Sequence, residues 1–185
     1  KGHGAGLLDL THDAAPPSPA GVHDSWADYI NLNLETHVTT CLDAGFVDTR
    51  LSERILDGFR RMTPELQGRP LCLLHGDPGT HNVCIDPDSK QVAALLDWED
   101  ALVGDPLFDV AMFSTFQPPR RMAAFLAGYG LETPTIEERR LMALYFLRVA
   151  LSKTVHRLRF GASDQPGRTA GHHRIYRGVS ELERL

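Results

Sequence analysis

The residues of this chain whose types and spacing could do chemistry are His75, Asp77 and Asn82, arranged as His-x-Asp-x-x-x-x-Asn, and a later acid, Asp97. Phosphoryl transfer to a hydroxyl needs such a set. One carboxylate accepts the hydroxyl proton, and an amide oxygen five residues further on helps to hold Mg²⁺. Pro78 restricts Asp77 to extended backbone, and Gly76 and Gly79 permit tight turns on either side, so Asp77 is expected to be rigid and exposed. Asn82 is neutral, whereas Mg²⁺ held between triphosphate oxygens prefers an anionic protein ligand as well. Asp97 can supply that charge. Any one of these residues alone would read as a turn or a cap; together, in this order, they point to a kinase-type site.

Strands have to position these side chains. Residues 71–74 form an apolar run too short for a helix, bounded by Pro70 and Gly76, and read as a buried strand. Residues 82–85 read as a second strand. The turn formers Asp86-Pro87-Asp88-Ser89 then fold it back onto a third apolar run, 92–96. This arrangement places His75, Asp77 and Asn82 on one loop and returns Asp97 beside them.

The same residues carry a family resemblance. His75-Gly76-Asp77 with Asn82, then Leu96-Asp97-Trp98-Glu99-Asp100-Ala101, then Gly104-Asp105-Pro106-Leu107-Phe108-Asp109-Val110-Ala111 resemble the HGDxxxxN, DWE.A and GDPxxDLA motifs of the aminoglycoside phosphotransferase and choline kinase-like family. The resemblance implies an α+β, mostly helical fold: the C-terminal lobe of a protein-kinase-like fold, with a small β element carrying the catalytic and metal-binding loops. It implies Asp77 as catalytic base, His75 as the residue that orders the loop, and Asn82 and Asp97 as Mg²⁺ ligands. By the same resemblance Cys84 and Leu96 would form the floor beneath an ATP or GTP nucleotide.

In that family an N-terminal lobe supplies a glycine loop and a lysine. Lys1-Gly2-His3-Gly4-Ala5-Gly6 is not read as that loop, because a kinase glycine loop lies between strands and is followed by a lysine on the next one. Lysine occurs here only at positions 1, 90 and 153. Gly4-Ala5-Gly6-Leu7-Leu8-Asp9 is instead similar to a stretch just after the family's interlobe hinge. Residues 1–24 are therefore expected to be a flexible linker following a missing N-terminal lobe, and 25–185 the helical catalytic lobe. The absence of an initiator Met before Lys1 agrees with a cut end.

Composition narrows the class. A chain of 185 residues with 42% hydrophobic content can bury one good core. A net charge of -5 argues against nucleic-acid binding, which wants a basic face. No apolar run reaches the roughly 18 residues of a membrane span, and no signal-peptide pattern occurs. Cys41, Cys72 and Cys84 are odd in number and lack metal-ligand spacing, which favours reduced thiols in a cytoplasm. His172-His173 belongs to no zinc-type spacing.

The remaining elements read as helices. Ser25 with Asp28 resembles a capping box, and Trp26, Ile30, Leu34, Val38 and Cys41 recur at helical spacing, predicting one helix over 26–44. Ser52 is the expected cap of the next, with Ile55, Phe59 and Met62 buried. Pro106 or Leu107 opens a helix whose first turn holds Asp109, read as a structural acid that braces the catalytic loop or caps backbone amides. Pro118-Pro119 starts another, to about Tyr129. Thr135 and Glu138 form a capping box before the longest periodic stretch, with Leu141, Leu144, Tyr145, Leu147, Leu151 and Val155 inward and Gly161 as terminator. Ile175, Val179 and Leu182 suggest a last helix. Residues 14–21 read as a surface loop.

Function is thus expected to be an ATP- or GTP-dependent phosphotransfer to a hydroxyl of a small molecule, aminoglycoside-, macrolide- or choline-like. Mg²⁺ would be the cofactor, and the fragment alone would be weak or inactive. Glu99 and Asp100, just past the metal acid, are candidates to receive a cationic acceptor, or are merely solvated. His81 could contact phosphate or substrate. Two alternatives stay open: a noncatalytic kinase-like binding module, and a metal-dependent hydrolase using Asp77, Asn82 and Asp97 to activate water.

Overall fold

The computed structural model describes residues 4–8, 20–161 and 171–185. Strands β1 (Ala5–Leu8), β2 (Gly21–His23), β3 (Cys72–Leu74) and β6 (Leu102–Gly104) form an antiparallel sheet in the order β2-β1-β6-β3. Strands β4 (Val83–Ile85) and β5 (Val92–Leu95) form a separate antiparallel hairpin. Helices α1 (Trp26–Asn31), α2 (Leu34–Asp43), α3 (Thr49–Met62), α4 (Leu107–Phe116), α5 (Pro119–Gly128), α6 (Ile136–Arg159) and α7 (Gly171–Arg184) make up most of the rest. The expected α+β, mostly helical architecture is what the chain adopts. No described helix is long and apolar enough to cross a membrane.

Helix α6 is the post around which the others stand, packing against α2, α4 and α7. Its start is fixed by the Thr135–Glu138 capping box, in which each side chain bonds the other's backbone N–H. Its six expected inward residues, Leu141 through Val155, are all buried. They join Ile30, Val38, Ile55, Phe59 and Ile175 in one core, each such side chain contributing about 1.5–3 kcal/mol of burial free energy. Gly161, at φ +64°, turns the chain out of the helix, as expected.

Four sequence expectations change. The single helix over 26–44 is broken: Asn33 takes the left-handed conformation (φ 56°, ψ 17°), separating α1 from α2. Asn tolerates that region better than most residues. Arg148, reaching across from α6, donates Nε to Ile30 O (2.7 Å) and Nη2 to Leu32 O (2.7 Å), satisfying carbonyls that a continuous helix would have bonded itself. The cap of α3 is Asp48, not Ser52: its carboxylate accepts from Leu51 N at 2.7 Å, while Ser52 bonds back to Thr49 O inside the helix. The run 71–74 is a strand but a largely open one, with Leu73 46% exposed and only Leu74 buried. Within the lead-in expected to be flexible, Ala5–Leu8 and Gly21–His23 are strands, β1 sits inside the sheet, and Ala5 is fully buried. Residues 1–3 and positions 14–19 of the surface loop expected over 14–21 lie outside the described residues, and its last position, Gly21, opens β2.

A buried polar chain ties the sheet to the helices. Asp105, fully buried, accepts from Arg69 Nε (2.7 Å) and Tyr145 OH (3.0 Å) on one oxygen and from Leu107 N (2.9 Å) on the other. Trp26 Nε1 in turn donates to Tyr145 OH at 2.9 Å. Gly104 lies tight against this chain, since a Cβ there would stand 2.5 Å from the Trp26 ring. The Tyr145 hydroxyl is pushed far above its ordinary pKa, first by burial and then by Asp105, so it remains a donor at all working pH values.

Asp105→Ala should be among the most damaging changes to the fold. It strands Arg69 Nε, leaving that part-buried guanidinium with Glu137 at 3.1 Å from Nη1, and two further donors without an acceptor, a loss of about 3–5 kcal/mol, whereas Tyr145→Phe should cost about 1–2 kcal/mol. Thermal unfolding checks the order, with the Asp105 variant melting roughly 10 °C or more below the parent.

Candidate active site

The loop that follows β3 is set by one acid on α4. Asp109, in the first turn of that helix, accepts from His75 N at 2.8 Å through one oxygen and from Gly76 N at 3.0 Å through the other. The brace expected from sequence is present. Burial pushes the Asp109 carboxyl above its usual range, and the two amide hydrogen bonds pull the other way. Gly76 is obligatory here on two counts. Its φ is +81°, and a Cβ would stand 2.0 Å from the Asp100 carbonyl oxygen.

His75 links this loop to the hairpin. Its Nε2 lies 2.8 Å from Leu96 O; a carbonyl can only accept, so Nε2 carries the proton and Nδ1 faces Asp77 N at 3.4 Å. The ring lies against Trp98, with centroids 4.7 Å apart. His75 is buried and positions other groups. Asn82, also buried, donates Nδ2 to Asp77 O at 3.0 Å, and its backbone O accepts from Leu96 N at 2.9 Å. Asp77, Asn82, Leu96 and His75 are thereby closed into one hydrogen-bonded circuit, with Asp97 the next residue along it. Asp77 is partly exposed, and His81 Nε2 lies 3.4 Å from its carboxylate.

Asp97 ends the third run as expected, but in the left-handed region (φ 64°, ψ 63°), opening a short 3-10 turn over Trp98–Asp100. Sparsely populated backbone of this kind costs on the order of 1–3 kcal/mol and is held by its surroundings. Its carboxylate has no hydrogen-bond partner among the described residues. Asn82 commits its NH₂ to Asp77 and keeps Oδ1 free. One amide oxygen and one carboxylate are hard oxygen donors, few in number, as suits Mg²⁺ that shares its sphere with phosphates and water. The residues present fit that ion.

The hairpin is in regular register up to Cys84, and the register shifts between Cys84 and Ile85. Val83 pairs with Leu95 and Cys84 with Ala94, so Cys84, Ala94 and, two residues on, Leu96 share one face. That face is open, with Leu96 49% exposed. The opposite face, with Val83 and Leu95, lines an apolar cavity of about 540 Å³ under the loop, closed by Phe113 and Phe125. A second cavity, about 290 Å³, opens beside Gly76 and Asp100 and runs between α1, α4 and α6. Asp100 lines it and Glu99 does not, so of the two acids only one faces this space.

Sequence reasoning passed over two groups of residues. Asp105 and its partners Arg69 and Tyr145 were detectable only through the Gly-Asp-Pro motif. Arg148, in the second cavity, interrupts the apolar stripe Leu144, Leu147, Leu151 and gave a usable signal: a cation among inward-facing residues.

Comparison with known proteins follows this geometry. The model of the phosphotransferase enzyme family matches residues 8–144. Hygromycin-B 4-O-kinase of Escherichia coli is 28% identical over 173 residues, covering 85% of this chain and 46% of that protein. The chain thus spans about half the length of that relative. Among solved structures, a thermostable aminoglycoside phosphotransferase variant in complex with AMP-PNP and hygromycin B superposes with a TM-score of 0.57 at 20% identity, over 89% of this chain and 52% of that one. A fructosamine-3-kinase candidate from Thermobifida fusca gives 0.60 at 19%, over 98% and 60%.

Asp109→Asn tests the brace. An amide oxygen replaces one acceptor and an NH₂ the other, stranding one loop N–H at about 1–3 kcal/mol. Amide hydrogen exchange at His75 and Gly76 should accelerate while exchange in α6 keeps its rank.

A pH dependence follows from His37 in the second cavity. Burial, then the charges of Arg148 and Arg159, bring its pKa down to about 4 from 6.5. The folded state therefore binds fewer protons than the unfolded one between these values, and stability falls as pH drops from 6.5 toward 4. Solvent screening at this half-exposed ring reduces the effect. His37→Asn should flatten the melting temperature against pH across that window.

Proposed function

Because the chain belongs to the phosphotransferase enzyme family, we propose that it is the catalytic lobe of a small-molecule kinase that moves a phosphoryl group from ATP or GTP to a hydroxyl acceptor. The observation that carries this reading is the circuit joining Asp77, Asn82, Leu96 and His75, which ties the partly exposed Asp77 and the Asn82 amide to one hydrogen-bonded frame, with Asp97 the residue after Leu96. Asp77 accepts the acceptor's proton as its oxygen bonds to the γ-phosphorus and the bond to the β-phosphate oxygen breaks. The products are a phosphate ester and a nucleoside diphosphate. His75 holds the loop through Leu96 O and the Asp77 amide. Asn82 Oδ1 and Asp97 would hold Mg²⁺, which neutralises phosphate charge when bound.

Cys84 and Leu96, on the open face of the hairpin, suit the floor of the nucleotide site. That apolar face, and lysine at positions 1, 90 and 153 only, support a second lobe that covers the phosphates and supplies a lysine; the coverage of about half of the relatives' length agrees. Asp100, which lines the second cavity, would meet an acceptor held there, and Glu99 lies outside that lining. Three free thiols, Cys41, Cys72 and Cys84, suit a reducing cytoplasm.

The test is made in the protein carrying both lobes. Asp77→Asn should keep the melting temperature and lose roughly two to four decades of kcat, with the KM for nucleotide little changed, whereas Asp97→Ala should weaken Mg²⁺-nucleotide binding as well. Near-parental kcat in Asp77→Asn would leave a binding module as the better account, and release of inorganic phosphate with no phosphorylated acceptor would indicate a hydrolase.

A further inference from the structure

The 290 Å³ cavity beside Gly76 has an uneven charge distribution. Asp100 is the one acid lining it, at the catalytic-loop end. At the α6 end stand Arg148 and Lys153, with Ser152 between them. Arg148 spends three N–H groups on Ile30 O, Leu32 O and His37 Nδ1, the last at 3.2 Å. A guanidinium has five, so two are left. No carboxylate among the described residues pairs with it. Burial lowers its pKa, and the Tyr29 phenol offsets part of that shift. Lys153 likewise has no partner among the described residues.

His37 reports the same field independently. Its Nδ1 faces Arg148, and its protonation is suppressed by burial together with Arg148 and Arg159. A desolvated cation without a counter-charge is costly unless an anion completes it. Tyr29, Asn33 and His37 add polar groups to the lining, and Leu7, Ile30, Leu102, Phe108, Met112 and Val149 form its apolar part. The space equals roughly ten water volumes at ~30 Å³ each, below the usual range for drug-sized ligands.

We propose that this cavity is the acceptor site and that it selects a small hydroxyl compound bearing a carboxylate or phosphate, its anion held by Lys153 and the free N–H groups of Arg148 and its hydroxyl at the end lined by Asp100 and by Gly76, the residue before Asp77. This rests on the kinase reading above and departs from a polycationic acceptor, whose ammonium groups would meet Arg148 and Lys153. Apolar walls take the carbon skeleton, and the cations set the end-to-end polarity. Lys153 is a specificity residue for the acceptor.

The 185-residue chain is titrated calorimetrically with gluconate, glycerol 3-phosphate, inorganic phosphate, choline and kanamycin at low and high salt. The expected result is binding of at least one anion, weakened by salt, weakened about tenfold or more by Lys153→Gln and kept within about threefold by Lys153→Arg, with unchanged melting temperatures. Gluconate against glycerol 3-phosphate tells which anion is preferred. Binding of choline or kanamycin without the anions, no binding by any probe, or anion binding indifferent to Lys153→Gln, overturns the proposal. Phosphorylation assays with both lobes separate the two readings. Lys153-dependent anion binding with no transfer to any acceptor leaves the anion subsite standing and removes the kinase; phosphorylation of kanamycin without anion affinity does the reverse.

Discussion

The geometry of this site depends on one carboxylate bonded to two consecutive backbone amides. Asp109 takes the N–H groups of His75 and Gly76, and those groups have no strand partner of their own once β3 has ended at Leu74. A buried unpaired N–H costs about 1–3 kcal/mol, so without the acid the loop would rotate to find another acceptor. Charge-assisted bonds to two adjacent amides also fix two successive peptide planes. Everything downstream inherits that orientation: the left-handed turn at Gly76, the exit direction of Asp77, and the His75 ring that reaches Leu96 O. Helix α4 presents Asp109 in its first turn, where the dipole favours negative charge, and so offsets part of the desolvation that pushes its pKa up.

A second acid, four residues earlier, does the corresponding work at the other end of β6. Asp105 draws Arg69, Tyr145 and the Leu107 amide together and, through Tyr145, Trp26. The first acid positions the catalytic loop on α4, and the second positions α4 against the sheet and α6. The two are in series, so a shift in the core post α6 would be felt at Asp77 through rigid polar contacts as well as through soft apolar packing.

Much of this was legible in the sequence, and the exceptions have physical reasons. Periodicity and capping chemistry located α4, α5, α6 and α7 because those signals are local: Thr135 with Glu138, Pro118-Pro119, Gly161. The motif spacing gave the loop and the bracing role of Asp109. The break at Asn33 was invisible, because the apolar spacing of Trp26, Ile30, Leu34 and Val38 continues through it and the cause lies on Arg148, more than a hundred residues away in sequence. Asp48 displaced Ser52 as a cap because its carboxylate reaches Leu51 N, a choice between two good candidates that spacing does not decide. The run 71–74 read as buried because every residue is apolar; the structure leaves Leu73 open on a surface that faces the hairpin cavity. Ala5–Leu8 reads as a linker because it resembles a stretch just after an interlobe hinge, yet strand pairing with β6 is a long-range contact that no local pattern records.

The cavity brings together the two kinds of residue that sequence reading treats least well, a charged residue on an apolar stripe and a left-handed non-glycine turn. Arg148 satisfies the carbonyls released by the break at Asn33, and the break in turn opens the space its side chain crosses. Structural and chemical roles are therefore inseparable at this position: the bonds to Ile30 O and Leu32 O hold the guanidinium in place, and its remaining N–H groups and uncompensated charge face the cavity. A lysine there could not do both, since a compact ammonium lacks the planar fork that bonds two carbonyls and still presents donors in another direction. The same arrangement that ends α1 thus sets the sign of the potential at the far end of the cavity from Asp100.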